Sequence, residues 1–314
     1  MKFVSAPLYL GPEELSAALP LGAAIDALDE MFSGQLPSAP RRSHHDVGPG
    51  ELLVMPAWSA GRGAGVKLVT VSPDNPGRGL PLIHGMYVLF EPESLAIQGL
   101  IDGAALTTLR TAAVSGVATK HLARPDSSTL VVFGGGIQGL AHLEAMVTVL
   151  PQLEQVLCVS RSVESSQRLV SRAKALGLRG VLADPTAVAS ADVVCTCTTS
   201  ATPLFDGSLL SPGTHVNAIG AYKPNARELD DAAMRRAKIF VELKASALHE
   251  AGDLRLPIEA GLLKASDITE LADVASARTA GRAGVDDITI FKSVGVAFED
   301  LVVATAAVKR ARAS

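Results

Sequence analysis

The spacing of apolar residues changes along the chain, and each change predicts a different element. From Ala23 to Phe32, the residues Ile25, Leu28, Met31 and Phe32 recur at helical intervals until Gly34 and Pro37 interrupt them. Between Arg41 and Phe90 the apolar runs are short (Glu51–Met55, Gly65–Val71, Met86–Phe90). Pro- and Gly-rich segments separate them, which predicts a small antiparallel sheet with long turns. Leu95–Ile101 adds a strand. Asp102 is placed to cap a helix from Gly103 to about Leu122, with Leu106, Leu109, Ala113 and Val117 on its apolar face. Thr129–Phe133 reads as a buried parallel strand running into Gly134-Gly135-Gly136-Ile137-Gln138-Gly139.

Beyond that loop the pattern alternates. Helices are predicted at Gln138–Leu150, Val163–Ala175 and Asp230–Ala237. Strands are predicted at Gln155–Ser160, Gly180–Ala183, Ala191–Cys197, Thr214–Ile219 and Lys238–Glu242. Such alternation, here from about Ser128 to Asp273, implies a parallel sheet with crossover helices. A last helix, Gly295–Arg312, presents Val296, Leu301, Ala304 and Val308 and is expected to pack on the N-terminal part. The predicted fold is α/β. A central Rossmann dinucleotide-binding domain (119–289) is combined with an α+β domain made from residues 1–118 and 290–314.

Composition narrows the classes of function. Apolar residues are 48%, charged residues 19%, and the net charge is −4. That argues against nucleic-acid binding, which calls for a basic face, and against disorder. No signal peptide or membrane-length apolar run is read from the sequence, so a cytoplasmic protein is expected. Cys158, Cys195 and Cys197 sit in apolar runs and read as buried small hydrophobes. Cys195 and Cys197 have no His or second Cys pair nearby to complete a metal site, so no metal is predicted.

The glycine loop carries the first chemistry. A strand precedes it and a helix follows, the context that gives the pattern meaning. Gly134 makes the tight turn, Gly136 leaves room for a pyrophosphate, and Gly139 lets helix and strand approach. Ile137 and Gln138 begin the helix whose free N–H groups face an anion. The second strand ends Ser160-Arg161-Ser162, with no carboxylate for a ribose 2′-hydroxyl. A guanidinium flanked by hydroxyls suits a 2′-phosphate, so NADP(H) is predicted over NAD(H). Arg110-Thr111 lies in a mostly apolar helix, where a charge is costly unless paired. Arg41 and Arg42, taken alone, read as surface charges.

Several long segments, in order over nearly the whole chain, resemble the ornithine cyclodeaminase/mu-crystallin family. They are LLVMPAW (Leu52–Trp58), GVKLVTVSPDNPGRGLP (Gly65–Pro81), DGAALTTLRTAAVSG (Asp102–Gly116), GGGIQGLAHLEAM (Gly134–Met146), PGTHVNAIGAYKPNARELD (Pro212–Asp230) and DDITIFKSVGVAFEDL (Asp286–Leu301). The resemblance implies a homodimer, with the N-terminal part serving substrate binding and dimerisation, and a small amino or imino acid as substrate. It implies that Lys67 lies by the substrate, and that Arg42 or its neighbour Arg41 holds the substrate carboxylate. Arg110 is implied near the pyrophosphate or that carboxylate, and Glu250 as a proton donor. Thr111, Thr196 and Thr198, then Ala218, Ile219 and Gly220, then Lys292 and Ser293 are implied along the cofactor. Val294 is implied at the substrate.

Two departures matter. Cyclodeaminases place an aspartate where this chain has Tyr222, and a threonine where it has Leu82. A phenol is no counter-ion for an ornithine ammonium near neutral pH. The sequence therefore points to an NADPH-dependent reductase of small cyclic ketimines, with Δ1-pyrroline-2-carboxylate to L-proline as the specific reaction. The alternatives are ornithine cyclodeaminase, an alanine or other amino-acid dehydrogenase, and a non-catalytic NADPH-dependent small-molecule binder. No nucleic-acid or membrane partner is expected.

Overall fold

The computed structural model describes residues 6–313. The chain divides into two compact units, one of residues up to Thr111 together with those from Gly295 onward, the other from Ala112 to Val294. The first unit begins, in chain order, with β1 (Leu8–Leu10), α1 (Pro12–Ala18), α2 (Leu21–Ser33), β2 (Ser43–Asp46) and β3 (Glu51–Ser59). Then come β4 (Gly63–Val71), β5 (Ile83–Phe90), β6 (Ile97–Asp102) and the start of α3 (Gly103–Leu122). The sheet runs β1-β6-β5-β4-β3-β2, antiparallel except where β1 joins β6.

Local chemistry accounts for the main boundaries. Asp102 caps α3 by accepting from the Ala105 N–H at 2.7 Å. β3 continues past Pro56, although a proline ordinarily ends a strand. β2 pairs only with Glu51–Val54, so Pro56 faces an edge where its missing N–H breaks no ladder bond. Alternation sends Leu53, Met55, Lys67, Val69, Tyr87, Leu89 and Ile101 into the unit's interior. The C-terminal helix Ala297–Ala313 packs on α2 and on this sheet, with Phe32 and Phe298 edge to face at 5.8 Å. Its apolar stripe is as expected, but it also buries Glu299 and Asp300 completely.

The second unit continues with β7 (Thr129–Phe133), α4 (Ile137–Val149), β8 (Gln155–Val159), α5 (Val163–Ala175), β9 (Arg179–Leu182), β10 (Val193–Thr196) and β11 (His215–Ala218). It closes with α6 (Asp231–Arg236), β12 (Ala237–Val241), α7 (Lys244–Glu250), α8 (Gly252–Glu259), β13 (Ile268–Glu270), α9 (Leu271–Ala275) and β14 (Ile288–Lys292). The C-terminal helix is then α10. All pairings in its sheet are parallel, in the order β13-β12-β14-β11-β10-β7-β8-β9. Val131, Val194, Val216, Ile239 and Ile290 from five of these strands share one buried core.

The expected block ending at Asp273 stops too early. β14 lies after it in sequence, yet inserts between β11 and β12. Its residues are buried throughout, as befits a parallel strand covered on both faces. Strand order is a long-range choice that periodicity does not encode.

Candidate active site

In the first unit, β4 turns Lys67 inward, where it is 1% exposed. Its ammonium donates to Asp300 Oδ1 at 2.8 Å and to Thr107 Oγ1 at 3.1 Å. Arg110 from α3 donates to Glu299 Oε2 at 2.8 Å, and its Nε lies 3.4 Å from Asp300. Arg42 donates to the Gly295 carbonyl at 3.0 Å. Gly295 has a φ of +75°, and a Cβ there would strike the Arg110 guanidinium, so both arginines close on a residue that only glycine suits. Burying charges is costly unless they are paired and hydrogen-bonded, and here two α10 carboxylates answer Lys67 and Arg110.

This environment tunes the lysine. Burial, opposed by Asp300 and reinforced by the positive charges of Arg110 and Arg42, brings the Lys67 pKa down to about 8. Tyr87 is the cross-strand partner of Lys67, and its phenol lies over Gly65. Burial, and then the charge of Asp300, raise its pKa well above the usual value. The phenol is therefore neutral at any working pH.

Within the protein, the buried partner of Arg110 is Glu299. Asp300, Glu299, Thr107 and Tyr87 were missed by the sequence reading. A signal for the two carboxylates was present. Glu299-Asp300 interrupts an apolar helix, and the argument that flags Arg110 applies to them equally. Arg41 is exposed whereas Arg42 is half-buried within the cluster. Thr111 is buried beside Arg110 in α3.

In the second unit, one sheet edge gathers the other candidates. Val159, Phe133, Thr196, Ala218, Lys292 and Val241 align across six neighbouring strands. The segments after them hold Ser160–Ser162, Gly134–Gly139, Thr198, Ile219–Gly220 and Ser293–Val294. This is the carboxyl edge, where open parallel sheets bind ligands. The switch point falls between β7 and β10, because the chain runs from β7 outward to β8 and β9 before crossing back.

The loop after β7 fits a dinucleotide on three observations. Gly134 has φ +98°, and a Cβ on Gly139 would collide with the Gly134 carbonyl oxygen, so both positions require glycine. Gly136 is exposed and a Cβ there would meet nothing within 4 Å, which leaves an open cradle. Gly136 also caps α4 without any side-chain hydrogen bond, leaving the helix N–H groups facing that cradle. Gln138 Oε1 is buried with no hydrogen-bond partner among the described residues. Gly135, named in the loop without a role of its own, also requires glycine, since a Cβ there would strike the Ser165 carbonyl oxygen at the start of α5.

Other candidates take structural partners. Ser162 caps α5, accepting from the Ser165 N–H at 3.2 Å, while Ser160 is half-buried and Arg161 exposed. Thr196 Oγ1 donates to Glu228 at 2.7 Å. Lys292 is fully buried and pairs with Asp253 at 2.9 Å, so its ammonium faces a carboxylate of its own unit. Ser293 donates to Glu242, which also accepts the Val294 N–H at 3.4 Å. Glu250 is buried at the end of α7, and Tyr222 is half-buried after β11. Burial pushes the Cys158 and Cys195 thiols up to about 11 and 12, so neither is a thiolate near neutral pH. No group of three or more His, Cys, Asp or Glu among the described residues could hold a metal ion. No helix among them is long and apolar enough to cross a membrane.

A doubly wound parallel sheet with a glycine loop at its switch point, joined to a unit with a buried lysine–arginine–carboxylate cluster, defines a two-unit protein of the dinucleotide-fold class. Residues 12–314 match the model of the ornithine cyclodeaminase/mu-crystallin family. A Δ1-pyrroline-2-carboxylate reductase of Paracoccus denitrificans is 35% identical over 311 residues, covering 96% of each chain. The structure of a Δ1-pyrroline-2-carboxylate reductase of Thermococcus litoralis, in complex with NADH and L-proline, matches with a TM-score of 0.93 and 31% identity over 98% of each chain. An archaeal alanine dehydrogenase dimer with bound NAD matches with a TM-score of 0.92 and 30% identity, covering 98% of this chain and 96% of that one. This chain belongs to the ornithine cyclodeaminase/mu-crystallin family.

Proposed function

We propose that this protein is an NADPH-dependent reductase of small cyclic ketimines, acting on Δ1-pyrroline-2-carboxylate to form L-proline. The observation that carries the reading is the buried Lys67 ammonium, held by Asp300 and Thr107 and brought to a pKa of about 8. A donor tuned near working pH is what proton transfer to an imine nitrogen needs. Relatives named for this reaction, and a neighbour holding NADH and L-proline, support the same chemistry. Tyr222 in place of the cyclodeaminase aspartate favours a net reductase over ornithine cyclisation.

The residues divide the work. Arg42 and Lys67 hold the substrate carboxylate. Lys67, with Glu250 as the alternative donor, keeps the imine nitrogen protonated, which makes its carbon electrophilic. A bound nicotinamide supplies the hydride; hydride plus the proton on nitrogen completes the reduction. Gly134, Gly136 and Gly139, with Ile137 and Gln138, hold the pyrophosphate. Ser160, Arg161 and Ser162 hold the 2′-phosphate. Thr196, Thr198, Ala218, Ile219, Gly220 and Ser293 shape the remainder of the cofactor site. Lys292 supports it through its pair with Asp253. The unit of residues up to Thr111 and from Gly295 onward serves as the substrate and dimerisation domain, and Ala112–Val294 as the cofactor domain.

Loss of NADPH absorbance on adding Δ1-pyrroline-2-carboxylate tests this function. Rapid NADPH oxidation, slower oxidation of NADH and no ammonia from L-ornithine are expected. Ammonia and proline from ornithine would make the protein a cyclodeaminase instead. The pH profile follows from the sign of the lysine shift. The protonated amine is the active form, so kcat/KM should be level below the lysine pKa and fall about tenfold per pH unit above about 8. A profile flat through pH 9 would remove Lys67 from proton donation.

We also propose a homodimer formed through the outer face of the six-stranded sheet. Tyr9, Trp58 and Leu68 are 54%, 49% and 40% exposed there, apolar side chains that a second copy would cover. The archaeal alanine dehydrogenase neighbour is a dimer. Light scattering of the purified chain should give twice the monomer mass.

A further inference from the structure

The carboxylate of Glu228 is fully buried, and its four bonds go to three residues: Thr196 at the end of β10, Thr198 just after it, and Gly220 after β11. Oε2 accepts from Thr196 Oγ1 at 2.7 Å and from the Gly220 N–H at 2.7 Å. Oε1 accepts from the Thr198 N–H at 2.9 Å and from Thr198 Oγ1 at 2.6 Å. One side chain thus ties the segment after β10 to the segment after β11. The ties continue: Asp253 Oδ1 accepts from the Glu228 and Leu229 N–H groups at 2.8 and 2.9 Å, and its other oxygen pairs with Lys292 at the end of β14. The ends of three adjacent strands are thereby joined through two buried carboxylates. The loops also approach too closely for anything larger than glycine at 220, where a Cβ would strike the Thr198 carbonyl oxygen.

The position of this clamp in the sheet gives it a function. A doubly wound sheet has two mononucleotide-binding halves on either side of the switch point. The glycine loop and the β8–β9 side take the pyrophosphate and adenosine. The β10, β11 and β14 ends, which the clamp joins, belong to the other half. We infer that Glu228 is a positioning residue that shapes the nicotinamide half of the cofactor site by holding the loops after β10 and β11 in one arrangement. It does so without touching the cofactor itself. This inference rests on the dinucleotide reading of the glycine loop given above.

Glutamine is the telling replacement because it keeps the shape and loses the symmetry of the carboxylate. Each carboxylate oxygen faces a backbone N–H. In Glu228→Gln the amide therefore has to set its own NH2 against either the Thr198 or the Gly220 N–H, freeing one loop. The experiment titrates Glu228→Gln with two ligands, following fluorescence for NADPH and heat for 2′-phospho-ADP-ribose. The second ligand keeps the adenosine and pyrophosphate but has no nicotinamide. NADPH binding should weaken about tenfold, the scale of one charge-assisted hydrogen bond, while 2′-phospho-ADP-ribose binding stays within about twofold.

Thr198→Val, which deletes one donor and keeps the bond from the backbone N–H of that residue, should show the same split at smaller amplitude and serves if Glu228→Gln does not fold. Equal weakening of both ligands would mean that Glu228 supports the unit as a whole, and unchanged NADPH binding would mean that it supports nothing at the site; either overturns the inference. If wild-type protein binds neither NADPH nor NADH, the dinucleotide reading itself falls, a result distinct from both.

Discussion

Replacing Lys67 by methionine should lower kcat/KM for the imine by about 10²–10⁴-fold, the usual contribution of a positioned proton donor, while NADPH binding is unchanged. The two readouts separate because Lys67 belongs to the first unit and the glycine loop to the second. Methionine keeps most of the lysine's length and packing but has no charge and no donor. Asp300, whose Oδ1 accepts from Lys67 at 2.8 Å, then loses its closest cation and keeps only Arg110 Nε at 3.4 Å. Removing one partner of a buried ion pair costs about 3–5 kcal/mol, so a lower melting temperature should accompany the loss of activity. The double substitution Lys67→Met, Asp300→Asn shows which loss is chemical. Neutralising the stranded carboxylate should restore part of the stability and none of the turnover. Turnover restored with stability would show that Lys67 acts through packing alone.

Gly136→Val should weaken NADPH binding at least about 100-fold, or about 3 kcal/mol, and lower the melting temperature only by the modest cost of replacing a glycine N-cap. The separation follows from geometry. A Cβ at Gly136 meets nothing within 4 Å, so the protein accommodates the side chain and only a ligand in the cradle is displaced. Gly139 is the contrasting position. A Cβ there strikes the Gly134 carbonyl oxygen, so Gly139→Val should lose stability and binding together. Titration of both variants beside thermal melts checks the pair. Full NADPH affinity in a folded Gly136→Val protein would move the pyrophosphate away from this loop.

The chemistry of the site is charge held where water is scarce. Lys67, Arg110, Glu299 and Asp300 are each at most 7% exposed at the side chain, and Glu228, Asp253 and Lys292 form a second buried set at the strand ends. Buried ionic groups contribute little net stability compared with well-packed apolar side chains. The proposed roles account for them: a tuned proton donor in the first set and loop positioning in the second.

Local features were legible in the sequence because their causes are local. The Asp102 cap, the helix it starts, the strand before the glycine loop and the glycines themselves follow from residues within a few positions of one another. The cost of burying Arg110 was equally visible. Its partner was not, because Glu299 lies 189 residues away, and Asp300 lies 233 residues from Lys67. The same limit applies to β14, which enters the sheet between two strands that precede it in the chain. Side-chain periodicity states which faces are apolar and which charges are misplaced. Only the folded chain decides which distant segment covers a given face, since that choice depends on the summed packing of whole elements. Element identity and the glycine cradle were thus determined by the sequence itself, whereas the Lys67–Asp300 pair, the Arg110–Glu299 pair and the Glu228 clamp were decided by tertiary structure.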